Sequence, residues 1–107
     1  SMTELNQIKS KNIQWITDAK RKGYPAFPPE IRKKAKALLS AGTIQLSYIC
    51  EKISYKTGIS NDEALMLLKY LIAEKEVIVN LARPIATSGM IEVTKVKVDG
   101  KLRDYAS

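Results

Sequence analysis

The residues of this chain best suited to chemistry are its cations. Lys20, Arg21, Lys22, Arg32, Lys33, Lys34 and Lys36 stand close together in the sequence. Ammonium and guanidinium groups gathered on one side neutralise phosphates and release condensed counterions, which gives steeply salt-dependent affinity for a nucleic acid. The alternative is an ordinary solvated face, but the charge balance singles these residues out. Residues 1–36 hold nine Lys and Arg against Glu4, Asp18 and Glu30, whereas residues 37–107 hold nine against eight acids. A second set, Asn61, Met66, Lys69 and Tyr70, falls within one helical stretch, and its functional reading is contact with a major groove. There Asn can pair with adenine, Lys with guanine or phosphate, and a Tyr hydroxyl with phosphate. Arg83 with Thr87 and Ser88 offers one cation and two hydroxyls to a backbone or minor groove.

Other chemistries are thinly provided for. The chain has no histidine, hence neither the commonest general base nor the usual zinc ligand. It shows no nucleophile or phosphate-loop motif, so the expectation is a non-enzymatic protein with no cofactor and no metal. Cys50 is the only cysteine and is expected to be a small buried apolar residue. Ser1 before Met2 has the look of a cloning remnant. No apolar run approaches the roughly 18 residues of a membrane span, and the N-terminus lacks a signal-peptide core, so a cytoplasmic location is expected.

The elements that must position these side chains follow from periodicity and punctuation. Leu5, Ile8, Asn12, Trp15, Ile16 and Ala19 form one stripe of a helix from Thr3 to Lys22, with Thr3 as N-cap and Gly23 as stop. The stripe reads as a dimerisation surface anchored by Trp15, with Asn12 setting the register; packing on its own domain is the alternative. Tyr24 to Pro29 is a stiff proline-rich strap. A second helix starts at Pro29 and runs to about Ser40, with Arg32, Lys33 and Lys36 pointing outward. A short strand at Thr43 to Leu46 precedes a third helix, capped by Ser47 and ended by Gly58. Ser60 and Glu63 form a capping box for a fourth helix, Asn61 to about Lys75. Strands follow at Val77 to Leu81, at Ile91 to Val98 with a bulge between Val93 and Val96, and at Lys101 to Tyr105 after an Asp99-Gly100 turn. Residues 1–28 thus form an appended helix and strap, and residues 29–107 an α+β domain.

The order helix, short strand, helix, turn, helix, strand, loop, strand resembles the winged helix-turn-helix superfamily of small archaeal and bacterial DNA-binding proteins. The resemblance spans Glu30 to Val98. It is carried by Ile44-Gln45-Leu46-Ser47, by Thr57-Gly58-Ile59-Ser60 and by Leu67-Leu68-Lys69-Tyr70-Leu71-Ile72-Ala73-Glu74-Lys75 leading into Val77-Ile78. It implies double-stranded DNA as partner and a dimeric transcriptional regulator or chromatin-type factor. Asn61, Met66, Lys69 and Tyr70 would then sit on the reading helix, with Arg32, Lys33, Lys36 and Arg83 on phosphates. Either the loop around Arg83 or the Asp99-Gly100 turn would be the wing. The reading helix opens with Asp62 and Glu63, whose carboxylates compete with phosphate at a helix N-terminus. That keeps a second reading open, a winged-helix protein-interaction module in a trafficking, membrane-remodelling or replication complex.

Overall fold

A computed structural model describes residues 2–104. It is an α+β fold with four helices and a four-stranded antiparallel sheet, in the order α1 (Met2–Arg21), α2 (Pro29–Ala37), β1 (Gly42–Gln45), α3 (Leu46–Thr57), α4 (Asn61–Ala73), β2 (Val77–Val79), β3 (Met90–Val98) and β4 (Lys101–Arg103). The end of the expected last strand at Tyr105 lies outside the described residues.

The turn between α3 and α4 is built as its sequence dictates. Gly58 takes φ +82°, a left-handed conformation open to glycine, and its N–H donates to the Ser54 carbonyl at 2.8 Å. Two residues later the Ser60 Oγ accepts from the Glu63 N–H, and a Glu63 carboxylate oxygen accepts from the Ser60 N–H, both at 3.1 Å. The start of α3 is different from expectation, because Ser47 lies inside the helix and Gln45 occupies the cap position with no side-chain bond. The reason is tertiary: the Leu46 N–H is satisfied by the Gly89 carbonyl at 2.8 Å.

β3 is the central strand. Val93 pairs with Gly42 of β1 on one side and Val79 of β2 on the other, while Val96 to Val98 pair with β4 on the β1 side. The register slips by one residue at Thr94, whose hydroxyl donates to the Ile78 carbonyl at 3.2 Å. This bulge lets Ile91, Val93 and Val96 all face the core although their spacing is not uniform. β2 stops at Val79 because the Asn80 side chain accepts from the Ala82 N–H and turns the chain. Asp99 and Gly100, at φ 51° and 79°, close the β3–β4 hairpin as a two-residue turn.

One core unites these parts. Ile49, Ile53, Leu67, Leu68, Leu71, Val77, Ile85, Ile91, Val93 and Val96 are fully buried, and Ile16 of α1 and Phe27 of the strap join them. Cys50 is buried as expected, and burial raises its thiol pKa. Among the described residues no helix is long and apolar enough to cross a membrane.

Candidate nucleic-acid interface

α2 brings Arg32, Lys33 and Lys36 to one wall of a cleft, and the β3–β4 hairpin brings Lys97 and Asp99 to the other. Pro29 starts α2 with its ring where the first turn needs no donor, and Ala35 anchors the opposite side of the helix in the core. The cleft measures about 460 Å³. Glu76 projects into it between the two walls: Lys36 Nζ donates to Glu76 Oε1 at 3.1 Å, and Lys97 Nζ lies 3.6 Å from Glu76 Oε2. Arg32 gives one N–H to the Phe27 carbonyl at 3.3 Å, and Lys33 is exposed. Four cations thus meet two carboxylates, Glu76 and Asp99, so the cleft retains positive charge. Arrangements of this kind attract phosphate.

The backbone of Glu76 is held from several directions. α4 ends in a Schellman motif, with the Lys75 N–H on the Ile72 carbonyl at 3.1 Å and the Glu76 N–H on the Leu71 carbonyl at 2.8 Å. Lys75 takes the left-handed position at φ 62°, where glycine is usual. The Glu76 carbonyl accepts from the Lys97 N–H at 2.8 Å, so α4, β3 and the cleft meet at this residue.

The outer face of α4 is arranged otherwise than its sequence suggested. Lys69 and Tyr70 were expected to present a free reading surface, and α1 and the strap cover them instead. The Lys69 ammonium sits 4.4 Å from the Trp15 ring centroid. Burial lowers its pKa, with Asp18 raising it and Lys22 lowering it further. Tyr70 meets Tyr24 edge-on at 5.2 Å and Phe27 at 6.4 Å. The Tyr24 hydroxyl donates to the Ile16 carbonyl at 3.0 Å; burial first and Glu74 second raise its pKa. Met66 packs against the core. Asn61 alone of the four is exposed, beside a shallow groove with Tyr48, Lys52, Tyr55 and Lys56 of α3.

The stripe of α1 expected to meet a second copy faces its own chain. Asn12 is 3% exposed: its amide donates to the Leu81 and Arg83 carbonyls, each at 2.8 Å, and its oxygen accepts from the Ile85 N–H at 3.1 Å. Ile16 is buried, while Leu5, Ile8 and Trp15 are half-buried. An amide that saturates three backbone groups of the same chain is not free to set the register of a dimer. Arg83 is paired with Glu92 at 3.0 Å, which neutralises the loop it was expected to charge.

Of the expected phosphate residues, Arg32, Lys33 and Lys36 are brought together, and Arg83 lies elsewhere, beside Thr43 and Ser88. Sequence reasoning missed Lys97 and Glu76. No local signal could have joined them, since Lys97 reaches Glu76 only through the pairing of β3 with β2, where the Lys97 N–H donates to the Glu76 carbonyl.

A family model described as TnsA endonuclease C terminal matches residues 4–81 of the 107. No curated protein and no solved structure matches. The match runs against the expectation of a non-enzymatic protein, because the family is named for an endonuclease and points to enzymatic association. That expectation leaned on the missing histidine, yet phosphodiester cleavage can run on carboxylates and divalent cations without one. Among the described residues no group of three or more His, Cys, Asp or Glu side chains could hold a metal ion, so these residues do not fit such a centre.

Proposed function

The chain belongs to the TnsA endonuclease C-terminal family, and on that premise we propose that it grips duplex DNA by the backbone in the service of an endonuclease. The observation that carries this reading is the convergence of Arg32, Lys33, Lys36 and Lys97 from two elements on one open cleft. Phosphate contacts of this type set position without reading sequence. In this reading α3, its turn and α4 form a winged helix-turn-helix, and the β3–β4 hairpin is its wing. The hairpin adds Lys101 and Arg103, both exposed. Dimeric transcriptional regulation and a chromatin-type role are less favoured, since both would use the covered face of α4 or the docked stripe of α1.

A second reading, a protein-interaction module, draws on one observation. Tyr48 and Tyr55 are 50% and 88% exposed on the outer face of α3, and tyrosine is enriched where proteins meet.

Fluorescence anisotropy with a short random-sequence duplex at about 50 mM and about 200 mM salt tests the DNA reading. The native chain should bind and weaken steeply with salt. Lys33→Gln combined with Lys97→Gln, at two exposed or half-exposed positions, should reduce affinity by about tenfold or more at the lower salt. Unchanged affinity in a folded double variant would reject the cleft as the site.

A further inference from the structure

We infer that the cleft between α2 and the β3–β4 hairpin is a phosphate site whose resident anion is the protein's own Glu76 carboxylate. For the source of the phosphate, a DNA backbone, this rests on the reading above.

Both oxygens of Glu76 are engaged, one by Lys36 and the other by Lys97, and the two lysines come from different elements. A single carboxylate bridging two ammonium groups occupies the place that two oxygens of a phosphate would take. Each ammonium has three donors, so both keep donors in reserve for an incoming oxyanion. Lys33 is exposed at the cleft, Arg32 retains N–H groups beyond the one given to Phe27, and Asp99 adds a lone carboxylate at the far wall. The cleft is large enough for a phosphate beside Glu76, at about 460 Å³.

The main chain of Glu76 is pinned by the Schellman motif and by Lys97, whereas its side chain is 27% exposed and reaches the cleft through rotatable bonds. The carboxylate can therefore swing aside without disturbing the fold. While in place it holds Lys36 and Lys97 toward the cleft and blunts their attraction for other anions. Like charges brought together in this way oppose binding. Glu76 is an affinity brake on this site.

The test compares the native chain with Glu76→Gln and Lys97→Gln, each checked for fold by circular dichroism and melting. Glu76→Gln keeps the side-chain shape and an oxygen acceptor but removes the charge. Duplex affinity at about 100 mM salt should rise about tenfold, and the slope of log affinity against log salt should steepen by about one as a freed ammonium neutralises a phosphate. Lys97→Gln, at a side chain 45% exposed, should lower affinity by about fivefold. It provides an independent reading of the site if Glu76→Gln fails to fold. Thermal shift with inorganic phosphate against chloride at equal ionic strength forms the second arm, and Glu76→Gln should gain a larger phosphate-specific rise in Tm than the native chain.

Tightening on DNA without that rise assigns the site to the nucleic-acid backbone. A phosphate-specific rise without duplex binding keeps the anion site and sinks the DNA reading. Unchanged or weakened duplex affinity in folded Glu76→Gln, together with no phosphate-specific gain, overturns the inference, as does Lys97→Gln with native affinity if it is the only variant that folds.

Discussion

α4 and α2 each carry cations away from the core, and their fates differ. On α4, Lys69 lies against Trp15 and Tyr70 is enclosed by Tyr24 and Phe27, so the outer face is a packing surface. On α2, Lys33 is exposed and Lys36 opens to a cleft shared with Lys97. The difference lies in what flanks the charges. α4 places Met66, Tyr70 and Ala73 around Lys69, and a helix apolar on most sides attracts a cover. α2 has mostly charged residues on its outer side, which hydration favours leaving in water. A cation amid aromatic and apolar neighbours is therefore a poor candidate for contact with a ligand.

The largest effect that could break this contrast lies in Asn12, the staple that holds α1 over α4. Asn12→Ala leaves the Leu81 and Arg83 carbonyls and the Ile85 N–H without their partner. Destabilisation of about 3 kcal/mol is expected by urea unfolding. A loss below about 1 kcal/mol would mean that α1 is loosely attached and the face of α4 is available.

A smaller effect distinguishes the two loops that flank the sheet. Arg83→Ala removes a cation already neutralised by Glu92, so duplex affinity should stay within about twofold of the native value. A loss matching that of the cleft variants would extend the binding surface to the Arg83 loop.

Lys69→Met should change least. Its cation–π contact with Trp15 is lost and the cost of burying its charge is removed, two effects of opposite sign. Duplex affinity should again stay within about twofold. The pH dependence is more telling. With the folded-state pKa below 10.5, the unfolded chain binds more protons in the window between the two values. Stability contributed by this residue therefore rises with pH there, and the penalty has gone above 10.5. Tyr24 opposes it, since a phenol raised above 10.0 loses stability as pH climbs past that value. Subtracting the Lys69→Met profile from the native one isolates the lysine, and a difference that does not grow more favourable toward pH 10.5 would contradict its burial.

Much of the local architecture was legible because short-range rules suffice for it. Gly58, the Ser60–Glu63 capping box, Pro29 and the Asp99-Gly100 turn act within a few residues, and all four appear where expected. The slipped alternation between Val93 and Val96 likewise announced the bulge at Thr94. Boundaries set by distant partners were not legible. Leu46 begins α3 because Gly89 arrives to satisfy its N–H.

The sequence by itself determined the elements, the α+β class and the concentration of positive charge before residue 37, since these depend on local backbone preference and composition. Tertiary structure decided where Arg32, Lys33 and Lys36 stand, on one cleft with Lys97. The amphipathic stripe of α1 fits either a second copy or its own α4, and periodicity is the same for both. Three backbone groups of the Leu81–Ile85 loop, available only in the folded chain, direct Asn12 and hence α1 onto its own domain. Likewise Lys36, Glu76 and Lys97 are far apart in sequence and meet only because β3 returns beside α2. Long-range contact turns an unremarkable glutamate into the resident anion of a cationic cleft.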